Sequence, residues 1–217
     1  MYTNVTAYKD ILQLCNHNNC TLIAVSKTKP IAAIQELYDL GQRHFGENYV
    51  QELVDKQAAL PKDICWHYIG HLQSNKVKYI APFVHLIHGV DSESLWKEIH
   101  KQALKLNKTI PCLLQLHIAQ EDTKFGLNDT ELLQILNTKQ SLYTHAQVKG
   151  LMAMASFTLN QEQLHAEYAY LQATYNAAKA IQEHITELSC GMSGDYHLAM
   201  QYGSTMVRIG SLLFGSR

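Results

Sequence analysis

The chain has 217 residues, 47% hydrophobic and 17% charged, which is enough apolar material for one sizeable core and leaves no disordered character. Its 18 Lys plus Arg against 19 Asp plus Glu give a formal net charge of -1, so no global basic field recommends a nucleic acid as partner. No apolar run reaches the length of a membrane span and residues 1–10 lack the order of a signal peptide, so the expectation is a cytoplasmic protein with a single domain over 1–217.

Tyr8, Ile11, Leu12 and Cys15 recur at helical spacing, and the polar cluster 16–19 ends that helix. A strand over 21–25 follows and runs into the stretch 22–30, LIAVSKTKP, where an apolar run stops at two lysines and a helix-starting proline. A lysine is costly to bury, so Lys27 directly after Leu22, Ile23, Ala24 and Val25 either snorkels to solvent or is held for chemistry. Pro30 suits the first turn of a helix whose stripe is Ile34, Leu37 and Tyr38 and which stops at Gly41.

The strand, loop and helix unit then repeats. A strand over 43–45 leads into GENYVQE and a helix towards Leu60 and Pro61; a strand over 65–69 leads through GHLQ to a short helix capped by Ser74. A strand over 84–88 precedes Asp91 and Ser92 as caps and a helix carrying Leu95, Ile99, Ala103 and Leu106. A fifth strand over 111–118 opens into the long polar loop EDTKFGLND and a helix begun by Asp129 or Thr130, with Leu132, Leu133 and Leu136. The sixth, over 147–154, precedes the longest helix, with Leu164, Tyr168, Leu171, Tyr175, Ala178 and Ile181 on one face. Strands over 187–190 and 204–209 complete a count of eight. Alternation of this kind demands a mostly parallel sheet, and eight units in this length favour an α/β fold of the closed (β/α)8 TIM barrel type over an open doubly wound sheet.

Five cysteines, Cys15, Cys20, Cys65, Cys112 and Cys190, lack metal-ligand spacing and read as small buried hydrophobes. Among twelve histidines, His67 with His71 and His85 with His88 would pair on a helix, but both pairs fall in strand-like runs. On one strand i and i+4 lie too far apart to chelate an ion and i and i+3 point to opposite faces, so no metal site is expected.

In such barrels phosphate groups commonly sit in the loops after strands seven and eight, where this chain carries Gly191-Met192-Ser193-Gly194-Asp195 and Gly210-Ser211. Each glycine-serine pair alone reads as an ordinary turn; together, at these two loops, they suit a phosphate. Barrel closure makes strand eight the neighbour of strand one, which brings Lys27 beside Gly210 and Ser211. An amine near a bound phosphate is what a pyridoxal phosphate Schiff base requires. Lys29 adds positive charge that favours a neutral amine on Lys27 if the side chains approach, and surface snorkelling fits Lys29 better than Lys27. Arg208 is either an outward strand residue or, facing inward, a donor beside the pyridine nitrogen that keeps it unprotonated and the ring a weak electron sink.

AVSKTKP, FGENYVQE, WHYIGHLQSNK, TKFGL, KGLM, SCGMSGDY and GSTMVRIGSLLFG resemble, in order, the pyridoxal phosphate homeostasis protein family, over about residues 22–215. The resemblance implies a barrel like the N-terminal domain of alanine racemase that carries pyridoxal 5'-phosphate as an aldimine on Lys27. By the same matching Ser193, Gly210 and Ser211 hold the phosphate, Arg208 approaches the pyridine nitrogen, Asn48 lies near the ring, and His71 and Met192 line the pocket. Departures from the family pattern are Ser211 in place of a frequent threonine, the missing proline after GLMAMAS, and a shorter segment before the first strand. The resemblance also implies a non-catalytic protein that takes up, buffers and delivers the cofactor to apoenzymes, with no catalytic residues, and monomer is the favoured state. The alternatives are an amino-acid racemase or related transaldimination enzyme, with Tyr49, Tyr68 or Tyr196 as second acid/base group, and a lysine-dependent aldolase without cofactor.

Overall fold

The computed structural model describes residues 2–118, 126–139 and 142–215. Residues 121–125 of the expected long loop lie outside them.

Eight parallel strands close into one barrel in chain order, β1 (Thr21–Val25), β2 (His44–Glu47), β3 (Cys65–Tyr68), β4 (Leu86–Val90), β5 (Ile110–Gln115), β6 (Ala146–Met152), β7 (Glu187–Met192) and β8 (Met206–Ile209). Closure rules out the open sheet. The seam is β1 against β8, with Leu22 opposite Val207, Ile23 opposite Arg208 and Ala24 opposite Ile209.

Strand residues are mostly buried, polar ones such as Glu47, His67 and Arg208 included, because both faces of the sheet are covered. Leu22 and Ala24 join the main core between sheet and helices, while Ile23 meets Leu86, Leu113, Met152 and Met206 in a separate cluster. Side chains alternate along a strand, so that second cluster is the filling of the barrel.

The helices are α1 (Val5–His17), α2 (Ile31–Asp39), α3 (Val50–Ala59), α4 (Val77–Ile80), α5 (Glu93–Lys105), α6 (Asp129–Gln134), α7 (Gln161–Ile181), α8 (Tyr196–Gln201) and α9 (Ser211–Phe214). Asn4, Ser92 and Asn160 each cap a helix by accepting a backbone N–H, and Asn128 with Glu131 forms a capping box. α7 buries Leu164, Tyr168, Leu171, Tyr175 and Ala178 of the expected stripe and leaves Ile181 half-buried at its end, and each fully buried leucine is worth roughly 1.5–3 kcal/mol. Trp96 Nε1 donates to Ala146 O at 2.8 Å, which locks α5 onto β6.

Some boundaries differ from expectation for local reasons. Ser74 caps nothing: it opens a 3-10 turn, Ser74–Lys76, that leads into α4. Asp91 leaves the capping to Ser92 and accepts from His71 instead. β2 and β7 run on to Glu47 and Met192, because parallel pairing with β3 and β8 continues into segments that read as loop. No described helix is long and apolar enough to cross a membrane.

Candidate functional site

At the C-terminal ends of the strands lies a cavity of about 660 Å³, lined by Lys27 from the turn after β1, Asn48 after β2, and Arg208 on β8. Met192, Ser193, Gly210 and Ser211 line it too, from the ends of β7 and β8. Seven of the eight sequence-selected residues therefore meet in one place. His71 does not: its Nδ1 lies 2.8 Å from Asp91 Oδ2, its side chain is 45% exposed, and it sits outside the lining.

The turn that carries Lys27 is fixed from both sides. Thr28 adopts a positive φ of 63°, and its N–H donates to Glu52 Oε1 at 2.6 Å. Beneath it Lys56, 4% exposed, donates to Ser26 O, Glu47 Oε1 and Glu52 Oε1, each at 2.7 Å. Ser26 Oγ also donates to Glu47 Oε1, at 2.5 Å. Burial pushes the Glu47 carboxyl up, against the pull of the Lys56 ammonium and the Ser26 hydroxyl. The effect on Lys27 is positional: Ser26 is anchored, so the next side chain is aimed into the cavity. Lys29 is neither a simple surface residue nor idle, since its Nζ donates to Phe214 O at 3.0 Å and Gly215 O at 3.2 Å and ties this turn to the end of α9.

Asn48 is pinned through its backbone. Tyr68 Oη donates to Asn48 O at 2.9 Å, and a Cβ on Gly70 would stand 2.5 Å from the same oxygen, so only glycine lets the two loops approach. The Asn48 Oδ1 atom is buried and has no hydrogen-bond partner within the protein. A buried amide oxygen beside a cavity asks for a donor on a ligand.

At the end of β7, Gly191 has φ 89° and a Cβ there would lie 2.5 Å from Ala199 Cβ, so the turn into α8 needs glycine. Asp195 accepts from Met192 N at 2.6 Å and from Tyr168 Oη at 2.7 Å, holding the turn closed. Ser193 Oγ accepts from Gly210 N at 3.4 Å, which joins the two glycine-serine loops directly.

Arg208 faces inward and is 4% exposed. Its NH1 donates to Ser189 O at 2.8 Å and Ser189 Oγ at 2.7 Å, and NH2 donates to Ala153 O at 2.9 Å. Burial draws its pKa down, while Cys190, Tyr168 and Asp195 nearby work the other way. A guanidinium starts so high that it stays a cation and a pure donor.

Residues 4–217 match the model of the family described as alanine racemase, N-terminal domain. A Schizosaccharomyces pombe protein named pyridoxal phosphate homeostasis protein is 36% identical over 212 residues, 95% of this chain and 88% of its own. An Escherichia coli K12 protein of the same name is 37% identical over 201 residues, 91% of this chain and 86% of its own. The solved structure of Synechococcus elongatus PipY with PLP bound superposes with a TM-score of 0.86 at 36% identity, covering 96% of this chain and 100% of PipY. The chain belongs to the pyridoxal phosphate homeostasis protein family. Alanine racemase from Bartonella henselae, at 17% identity and a TM-score of 0.73, shares the fold and is covered over 58% of its length.

Two features of this family member were not selected from its sequence. The first is the rim formed by the loop after β6, where Ser156 lines the cavity and is gripped by the buried Glu167 of α7: Ser156 N donates to Oε2 at 2.7 Å and Ser156 Oγ to Oε1 at 2.6 Å. A carboxylate on the buried stripe of α7 was the readable signal. On the same loop Phe157 and Leu159 are 99% and 95% exposed at the cavity mouth. The second is the Lys56 network, whose Glu52 and Lys56 look in sequence like an ordinary surface pair one helical turn apart.

The tyrosines weighed as acid/base groups are committed elsewhere. Tyr49 is 53% exposed. Tyr68 is pushed up to about 12 by burial and donates to the Asn48 and His71 carbonyls. Tyr196 packs on His197 with ring centroids 4.1 Å apart. Among the described residues no tyrosine lines the cavity.

Proposed function

We propose that this protein binds pyridoxal 5'-phosphate in the cavity at the strand ends, covalently through Lys27 Nζ, and serves as a non-catalytic holder that takes up, buffers and delivers the cofactor. The observation that carries this is the convergence in one cavity of an anchored lysine, two linked glycine-serine loops and a buried arginine. The donor set fits the group. Ser193, Gly210 and Ser211 offer hydroxyls and backbone N–H groups for a phosphate, and Asn48 Oδ1 offers an acceptor still lacking its donor. Pyridoxal phosphate, when bound, supplies an electrophilic aldehyde carbon and a conjugated pyridine ring.

Arg208 supports holding over turnover. It donates only, so it favours an unprotonated pyridine nitrogen and weakens the ring as an electron sink. Lys27, Asp195 and Arg208 are the titratable residues lining the cavity among those described, and Asp195 already accepts from Met192 N and Tyr168 Oη. A racemase needs a second acid/base group on the face opposite the lysine. In this reading the protein works in the cytoplasm, where its five free cysteines stay reduced, as a monomeric barrel that passes the cofactor to apoenzymes.

A spectral titration tests the proposal. Pyridoxal phosphate added to wild type should give a visible band that borohydride bleaches, and Lys27→Ala should give none. A wild type that gains no absorbance overturns the binding reading. Deuterium exchange at the alpha carbon of amino acids at enzyme-like rates overturns the non-catalytic part and favours the racemase.

A further inference from the structure

The histidine pairs considered along single strands do not chelate, but the barrel groups histidines across strands. His44 opens β2, His67 stands on β3, and His85 immediately precedes β4. Their rings form a triangle with centroids 5.2 Å apart for His44 and His67, 5.2 Å for His67 and His85, and 5.7 Å for His44 and His85. One ring nitrogen from each lies within 4.8 Å of the other two. His44 and His85 stand at the starts of their strands, and none of the three lines the cavity.

We infer that His44, His67 and His85 form a binding site for one divalent transition-metal ion of the zinc class, with a fourth position open to solvent. Around a four-coordinate ion with bonds of about 2.0–2.1 Å, ligand nitrogens stand roughly 3.3 Å apart. His44 Nδ1 and His67 Nε2 share a hydrogen bond of 2.9 Å, so an ion that enters between them displaces that proton and opens the pair slightly. His85 is exposed, and a rotation of its side chain completes the set.

Three imidazoles without a carboxylate suit zinc, nickel or copper and disfavour the oxygen-seeking calcium and magnesium.

The outer shell points the same way. Ser189 Oγ accepts from Arg208 and lies 2.9 Å from His88 Nδ1, and His88 Nε2 lies 2.9 Å from His67 Nδ1. With an ion on His67 Nε2, the proton of that ring sits on Nδ1 and is donated to His88 Nε2, and His88 Nδ1–H is donated in turn to Ser189 Oγ. A metal-binding histidine is oriented in this manner, by donating its other N–H to a fixed acceptor. The inference does not depend on what the cavity binds.

Untagged protein, stripped with chelator, is titrated with Co2+ alone as a spectroscopic stand-in. Wild type should bind one equivalent with the intense visible bands of four-coordinate Co2+, and its thermal midpoint should rise. His44→Ala and His85→Ala should each weaken binding by about 100-fold or more, the upper end of what losing even a supporting partner costs. His100→Ala, from a separate histidine pair with His145, should leave binding unchanged. His85 is exposed, so its variant keeps the fold and should lose only the Co2+-induced rise. A wild type without saturable four-coordinate bands, or wild-type affinity in either triangle variant, overturns the inference.

Discussion

Replacing Lys56 by methionine removes a charge from under the Lys27 turn while keeping nearly the same length of side chain. The ammonium commits all three of its N–H groups, to Ser26 O, Glu47 Oε1 and Glu52 Oε1. The Glu52 arm is partly exposed, with 23% of its side chain accessible, so its loss matters by no more than about 1 kcal/mol. Glu47 is different. Its side chain is fully buried, and without Lys56 the carboxylate keeps only the Ser26 hydroxyl. Stranding one member of a buried pair costs about 3–5 kcal/mol. Burial already raises the Glu47 pKa, so proton uptake relieves part of the loss and places the effect near ~3 kcal/mol at neutral pH. Urea unfolding followed by circular dichroism measures it. The double variant Glu47→Gln with Lys56→Met should recover at least about 1 kcal/mol, since no charge is then left unpaired. A loss in Lys56→Met below about 1 kcal/mol, the range of an exposed pair, refutes the reasoning.

Acid should destabilise the barrel interior before its carboxylates titrate. His67 and His88 are held well below the ordinary histidine value, chiefly by burial and then by neighbouring histidines and Arg208. Stability is therefore intact above about pH 6.5 and falls below it, where the unfolded chain takes up protons that the folded one refuses, by ~1.4 kcal/mol per pH unit for each ring. Unfolding free energies from pH 7.5 to 5.5, in chelator and in the Glu47→Gln background to remove the opposing raised carboxyl, give the slope; a flat profile counts against neutral rings. Gly70→Ala should cost about 1–3 kcal/mol by forcing the Asn48 backbone away from the new Cβ. Pyridoxal phosphate affinity should fall by about tenfold with it, read by the spectral titration, and unchanged affinity would mean that Asn48 does not contact the cofactor.

The barrel and the lysine turn were legible because each depends on short-range signals. The run from Leu22 to Val25 ends at Lys27, strand and helix periods alternate, and glycine with serine recurs after β7 and β8. The position of Arg208 was readable only as a fork, since period 2 along a strand does not say which face is inward until the register with β1 is known. His71 came from the matched segment alone and turned out to hold Asp91. Lys56 and the histidine triangle were illegible for the same physical reason: their partners sit on other elements, and the stagger between strands that brings them together is a property of closure rather than of local sequence.

The seam between β1 and β8 also orders events during synthesis. Lys27 leaves the ribosome early, but Gly210 and Ser211 follow 183 and 184 residues later, roughly 10–40 s at about 5–20 residues per second. Through that interval the nascent chain carries Lys27 without the loops that flank it in the closed barrel. Under the proposed function, a growing chain has no complete cavity with which to compete for free cofactor, and capture is a property of the finished barrel.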